Sequence, residues 1–181
     1  MKVALTSIGE KTTAICKDEL EKMGFEVVMF DKVQPWVEKY KEFIEYAFKL
    51  KEPIFRIDAD IIPNKNLIKD IKGNDNIYMI QFQTYDFYKN DICTASPILY
   101  FQEAIEIIHR NLDKLDPKRP EASASRLPEL NPFYFVEKDY LTGMHGFFQD
   151  KKTIERAKYN KGERGQIKDY NFGLVDRLLK L

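Results

Sequence analysis

The chain has 181 residues, which sets an expectation of one ordinary domain spanning 1–181. Its 29 Lys+Arg balance its 29 Asp+Glu, against a chain-wide basic field for nucleic acid or an anionic membrane, and 44% apolar residues with 13 Phe and 10 Tyr argue against disorder. Only Cys16 and Cys93 are present, no run approaches ~18 apolar residues, and a strand-like run from Val3 leaves no room for a signal peptide, so a cytoplasmic, non-membrane-spanning protein is expected.

Two periodicities alternate through the first half. Val3-Ala4-Leu5 is a short apolar strand that breaks at Thr6-Ser7-Ile8-Gly9. Ile15, Leu20 and Met23 mark a helix, and Gly24 stops it as a C′ residue. Phe25 to Phe30 is a β-rich run ending at Asp31. Trp36, Tyr40, Phe43, Ile44, Ala47 and Leu50 then recur at three- and four-residue spacing, an amphipathic helix. Ile54-Phe55-Arg56-Ile57 is the third strand, and Leu67, Ile68 and Ile71 predict a short helix. This succession is βαβαβ, a parallel α/β sheet.

After Gly73 the pattern changes. Ile77 to Phe82 is a fourth strand, Tyr85 to Asp91 a turn, and Ile92-Cys93-Thr94 a short returning strand. Ser96-Pro97 reads as an N-cap with Pro at N1, ahead of a helix carrying Ile98, Phe101, Ala104, Ile105 and Ile108. Asp113 to Pro132 holds four prolines and reads as a long loop, of a length usually functional or flexible. Phe133 to Val136 resumes a strand, Asp150 to Tyr159 reads as helical, and Phe172 to Leu181 as a short docking helix.

The segment with most chemistry is Arg56-Ile57-Asp58-Ala59-Asp60-Ile61-Ile62-Pro63. Strand alternation sends Arg56, Asp58 and Asp60 to one side and Phe55, Ile57, Ala59 and Ile61 to the other. Two carboxylates aimed the same way at the end of a buried strand repel each other and need a cation. Arg56 serves part of that role; a magnesium or manganese ion completed by substrate phosphates serves it better. Ligands of open α/β sheets collect at such strand ends. The bland alternative is that both carboxylates end the strand, cap the next turn and pair with Arg56 and a lysine.

The strand ending in Thr6-Ser7-Ile8-Gly9, the second ending in Asp31, the amphipathic helix, and the strand running into Asp58-Ala59-Asp60 with Pro63 beyond resemble a GT-A glycosyltransferase. The likeness is to the family-2-like, nucleotide-sugar-dependent enzymes with a D-x-D motif, and Ala95 to Tyr100 is similar to the segment that comes after the D-x-D strand in that family. It covers residues 1–110, the nucleotide- and metal-binding half, well. It covers 111–181, the acceptor-side half, loosely.

The resemblance implies an α/β fold with a mixed, mainly parallel sheet flanked by helices. It implies transfer of a sugar from a nucleoside-diphosphate donor, UDP-sugar favoured, to a glycan, lipid or small-molecule acceptor, assisted by Mn2+ or Mg2+. Thr6, Ser7, Ile8 and Gly9 would lie beside base and ribose, with Asp31 a polar contact to the nucleoside. Asp58 and Asp60 would hold the metal, with His145, in the glycine-flanked loop Gly143-Met144-His145-Gly146 after the last strand, as a further ligand. Glu137 and Asp139 are the candidates for the base that takes the acceptor proton, although the acidic pair of many family-2 enzymes is not plainly present.

Lys118-Arg119-Pro120-Glu121 and the Lys- and Arg-rich stretch from Lys151 to Lys168 are candidate diphosphate contacts or solvated faces. His109 reads as structural, near a helix end. A haloacid-dehalogenase-type phosphatase would carry its D-x-D on the first strand, and a nucleotidyltransferase of similar fold would want more glycine than Ser7-Ile8-Gly9-Glu10 offers. The serious alternative is a non-catalytic GT-A-like module that binds a nucleotide or glycan. Convergence of Asp58, Asp60 and His145 on one cleft favours the enzyme.

Overall fold

The computed structural model describes residues 1–32, 34–69, 77–130, 135–147 and 149, excepting the side chains of 95 and 135–139. The elements run β1 (Lys2–Thr6), α1 (Thr13–Lys22), β2 (Glu26–Phe30), α2 (Trp36–Leu50), β3 (Ile54–Asp58), β4 (Ile61–Pro63), β5 (Met79–Asp86), β6 (Asp91–Tyr100), α3 (Gln102–Arg110), α4 (Pro120–Ala124) and β7 (Phe135–His145). They build one sheet of order β2-β1-β3-β6-β5-β7-β4. It is mixed: β1 pairs in parallel with β2 and β3, and β5 with β7, whereas β3–β6, β5–β6 and β4–β7 are antiparallel.

The βαβαβ half is built as its sequence dictates. Val3, Ala4 and Leu5 are fully buried because β1 is covered on both faces, so its apolar run is continuous rather than alternating. Gly24, at φ +86°, ends α1 as expected. Its N–H reaches the Glu21 carbonyl (2.9 Å) and the Phe25 N–H the Leu20 carbonyl (3.1 Å), the paired bonds of a Schellman cap. Phe55, Ile57, Ala59 and Ile61 join Val3, Leu5, Cys16 and Leu20 in the core beneath α1. On the opposite face Ala4, Ile54 and Tyr100 pack against Phe43, Ile44 and Ala47 of α2 and Ile105 and Ile108 of α3.

Several sequence expectations need correction, among them the turn over Tyr85 to Asp91, since β5 runs on to Asp86 and β6 starts at Asp91. Ser96-Pro97 does not cap a helix; it lies inside β6, and α3 begins at Gln102. Pro97 is accommodated because β6 breaks register there: Gln81 pairs with Ile98 and Gln83 with Thr94, so a residue with no N–H falls in the bulge. His145 is not in a loop but is the last residue of β7, held against Ile61. The stretch from Asp113 to Leu130 is not all loop: Pro120 opens α4 at N1, and Leu115, Ala124, Leu127 and Leu130 are buried against the α2–α3 core.

The predicted third helix is a 3₁₀ turn at Lys65–Ile68. The expected helices at 150–159 and 172–181 lie outside the described residues. Among the described residues no helix is long and apolar enough to cross a membrane.

Candidate functional site

Residues expected to carry chemistry gather where β1 and β3 end. Register places Thr6 beside Asp58, and the Thr6 hydroxyl donates to Asp58 Oδ1 at 2.7 Å. The chain then turns at Ser7-Ile8-Gly9. Glu10 accepts from the Ser7 hydroxyl (2.7 Å) and the Ile8 N–H (2.8 Å), and Gly9 takes φ +88°, which a side chain would resist. Ser7 N–H bonds the Phe30 carbonyl at 3.0 Å, so Asp31, exposed just past β2, sits at this same edge.

Arg56 is 1% exposed and answers Asp58 directly, with Nη1 at 2.8 Å from Oδ1. Its other nitrogen, Nη2, pairs with Glu121 of α4, and the Trp36 ring lies 5.2 Å away in cation–π geometry. Burial pushes the Glu121 carboxyl up and Arg56 pulls it back, leaving it raised. Lys39 of α2 is 1% exposed and donates to the Ser7 carbonyl. Burial lowers its pKa against the pull of Glu10, Asp31, Glu42 and Asp58.

Asp60 faces a different partner. The Ala59-Asp60 turn is pinned by Ala59 N–H to the Thr6 carbonyl (2.8 Å) and the Thr12 hydroxyl to the Ala59 carbonyl (2.6 Å). Because β4 pairs with β7 at Ile61 and His145, the imidazole returns to the carboxylate that immediately precedes β4: Nε2 is 3.1 Å from Asp60 Oδ2. Nδ1 is 3.1 Å from Oδ2 of Asp86, which is 1% exposed. Asp86 Oδ1 takes the Tyr88 and Lys89 N–H groups at 2.8 and 3.2 Å, and the Cys93 thiol reaches Oδ2 at 3.3 Å.

Burial disfavours the imidazolium of His145, but Asp60 and Asp86 on its two nitrogens outweigh it and raise the pKa well above 6.5. Next in the chain is Gly146 at φ +75°, where a Cβ would run into the Tyr88 ring that packs edge-on against the imidazole. Gly146→Ala is expected to cost about 2–3 kcal/mol, strain plus overpacking. Chemical denaturation checks this, and a loss below about 0.5 kcal/mol would mean that Tyr88 yields freely.

The sequence-predicted residues thus meet in part. Thr6, Arg56 and Asp58 form one cluster with Ser7 beside it; Asp60 and His145 form a second. Arg56 bridges Asp58 to Glu121 instead of lying between the two aspartates. Glu137 and Asp139 are on β7, but their side chains, like the Lys151 to Lys168 stretch, lie outside the described residues. His109 is structural as expected, stacked on Phe48 at 3.9 Å with Glu45 at 3.2 Å.

Sequence reasoning missed Lys39, Asp86 and Cys93, and it placed Glu121 in a run of diphosphate contacts or solvated charges instead of beside Arg56. Lys39 left one trace, a charge inside the apolar stripe of α2, three residues from Trp36 and four from Phe43.

No family model and no curated protein matches the sequence. Solved structures match the fold at low identity. A glycosyltransferase involved in glycosylation of the major capsid of PBCV-1 is 12% identical, with TM-score 0.56 over 86% of this chain and 98% of that one. A mutant of Drosophila β1,4-galactosyltransferase 7, in complex with manganese, UDP-Gal and xylobiose, is 12% identical, with TM-score 0.51 over 97% and 79%. The 4-diphosphocytidyl-2C-methyl-D-erythritol synthase of Anaerococcus prevotii is 9% identical, with TM-score 0.54 over 87% and 96%. The chain has the GT-A-like fold that nucleotide-sugar transferases share with nucleotidyltransferases.

Proposed function

We propose that the protein is a glycosyltransferase that moves a sugar from a nucleoside-diphosphate donor, UDP-sugar favoured, with the help of a divalent cation. The observation carrying this reading is the approach of His145 Nε2 to 3.1 Å from Asp60 at the end of the D-x-D segment. The Asp60 carboxylate with one imidazole makes a hard-to-borderline donor pair suited to manganese or magnesium, with Asp58, of the neighbouring cluster, as the third candidate ligand. Asp86 fits it further: a carboxylate on Nδ1 fixes the tautomer that turns the Nε2 lone pair toward the ion. When bound, such an ion stabilises the negative charge of the departing nucleoside diphosphate.

The chain's own residues do the rest. The Thr6–Gly9 turn and Asp31 border the nucleoside, Arg56 holds Asp58 in place, and Lys39 adds a positive charge under the turn. Glu137 or Asp139 takes the proton of the acceptor hydroxyl, on a glycan, lipid or small molecule. Nucleotidyl transfer is the less favoured chemistry because the turn holds one glycine where phosphate-cradling loops of that class hold several. A non-catalytic nucleotide- or glycan-binding module is the alternative.

Titration of UDP and GDP with and without manganese, and then a UDP-sugar panel assayed for UDP release, tests the reading. Manganese-dependent UDP binding with sugar-specific turnover is expected. Absence of binding by either nucleotide under any metal condition overturns it, and binding without turnover on any donor leaves the module.

Lys39→Met separates stability from binding. A buried ammonium costs the fold below its lowered pKa, and that cost disappears as pH rises through it. Methionine removes the cost, so the midpoint should rise by about 2–4 °C, while UDP binding weakens about tenfold through loss of the positive charge under the turn. Thermal unfolding and calorimetry read the two effects; a fall in midpoint would show that the bond to Ser7 outweighs desolvation.

A further inference from the structure

His145 has two faces, and the proposed function uses only one. On the Nδ1 side, Asp86, Cys93 and His145 each turn one ligand atom into a common space, all three within 4.8 Å of one another. Tetrahedral zinc, with bonds of about 2.0 Å to N and O and about 2.3 Å to S, would hold an N···O pair about 3.3 Å apart and an S···O pair about 3.5 Å apart. Here Nδ1···Oδ2 is 3.1 Å and Sγ···Oδ2 is 3.3 Å. Asp86 Oδ2 thus already stands from both partners at close to the spacing a zinc ion imposes, and the third pair lies within 4.8 Å.

We propose that Asp86, Cys93 and His145 Nδ1 form a binding site for a thiophilic divalent cation, zinc or cadmium class, distinct from the Asp58/Asp60 site. The thiolate selects the ion, because soft sulfur ligands are disfavoured by magnesium and manganese. Asp60 supplies the supporting contact: it accepts a hydrogen bond from Nε2–H, which holds the tautomer whose Nδ1 lone pair faces Asp86 and Cys93. Three protein ligands leave a fourth position for water. Cys93 itself is partly exposed and lines an open hollow of about 420 Å³ together with Gln83, Lys89, Ile92 and Thr94.

Binding is acid–base and not redox. The Sγ–H of Cys93 and the Nδ1–H of His145 give their protons to solvent, and metal–sulfur, metal–nitrogen and metal–oxygen bonds form. Thiolate and carboxylate together neutralise the dication. The two metal modes of His145 need opposite tautomers, so a soft ion on Nδ1 takes the imidazole away from an ion at Asp60; this consequence alone rests on the proposed function.

Cobalt(II) and cadmium(II) titrations of the full chain, monitored by the thiolate-to-metal charge-transfer absorbance, test the site. One equivalent is expected to produce the band in the wild type and in Cys16→Ala. Cys93→Ser, near-isosteric and partly exposed, should lose it with at least about a 100-fold loss of affinity, more than loss of an outer-shell partner causes. A wild-type measurement guards against a misfolded variant: zinc should slow alkylation of Cys93 at least tenfold, read by mass spectrometry apart from buried Cys16. Absence of the band, its persistence in Cys93→Ser, or alkylation of Cys93 unaffected by zinc would each overturn the site.

Zinc should also weaken manganese-dependent UDP binding in the wild type but not in Cys93→Ser; UDP binding unchanged by zinc would overturn the exclusion. If UDP never binds, the glycosyltransferase reading fails while the absorbance still decides the metal site.

Discussion

Asp60→Ala should lower manganese-dependent UDP affinity by at least about 100-fold, the upper end of what loss of a supporting partner costs and less than loss of a ligand can cost. Asp60 is both a carboxylate at the end of the D-x-D segment and the group that meets His145 Nε2 at 3.1 Å, so one truncation removes a charge and frees an imidazole. Asp60→Asn should be nearly as damaging, because an amide keeps the shape and loses the charge. Metal-independent nucleotide binding should change little, since Thr6, Ser7 and Lys39 keep their partners. The fold should survive: the Ala59-Asp60 turn is pinned by backbone and Thr12 contacts that the substitution leaves intact. Calorimetry with and without manganese is the measurement. Affinity kept within about threefold in the presence of metal would remove Asp60 from the site.

Arg56→Leu should cost about 2–3 kcal/mol of stability. Breaking a buried ion pair from one side costs about 3–5 kcal/mol because the charge left behind is unpaired. That figure is reduced here because Asp58 and Glu121 keep 35% and 33% of their side-chain surface in water. For a chain of this size the midpoint falls by about 5–10 °C.

Both orphaned carboxylates face the space that the guanidinium filled, so Glu121 rises further above 4.5 than burial already holds it. A raised carboxyl penalises the fold above its folded pKa and is relieved as pH falls through it. The loss should therefore be smaller near pH 5 than at pH 8. Arg56→Leu with Glu121→Leu should recover more than half, since leucines can pack against Tyr40, Tyr100 and Trp36 where charges required partners. Urea unfolding with a constant slope reads both variants against the wild type. A single-variant loss below about 1 kcal/mol would show that water reaches the cluster.

Local sequence was sufficient for β1 through β3 and for the helices between them. Those elements are covered on known faces, so the period of Val3-Ala4-Leu5, the α2 stripe and the Phe55-Ile57-Ala59 alternation report directly what each side buries. Gly24 was legible for the same reason, because a helix stop is a matter of a few consecutive residues. Arg56, Asp58 and Asp60 were legible as a group, being close neighbours in the chain.

The contribution of the folded chain is long-range. Pro97 belongs to a strand because β3 and β5 flank it and a bulge absorbs its missing N–H, and no local rule sees those neighbours. His145 meets Asp60 across 85 positions and Arg56 meets Glu121 across 65, each through strand register or helix docking. Spacing along the chain carries no record of such encounters. The sequence on its own therefore decided that strands end in carboxylates at one edge of a sheet. Pairing of β4 with β7 and docking of α4 decided which of those carboxylates faces an imidazole and which a guanidinium, because side-chain partners are set by packing in space and not by distance along the backbone.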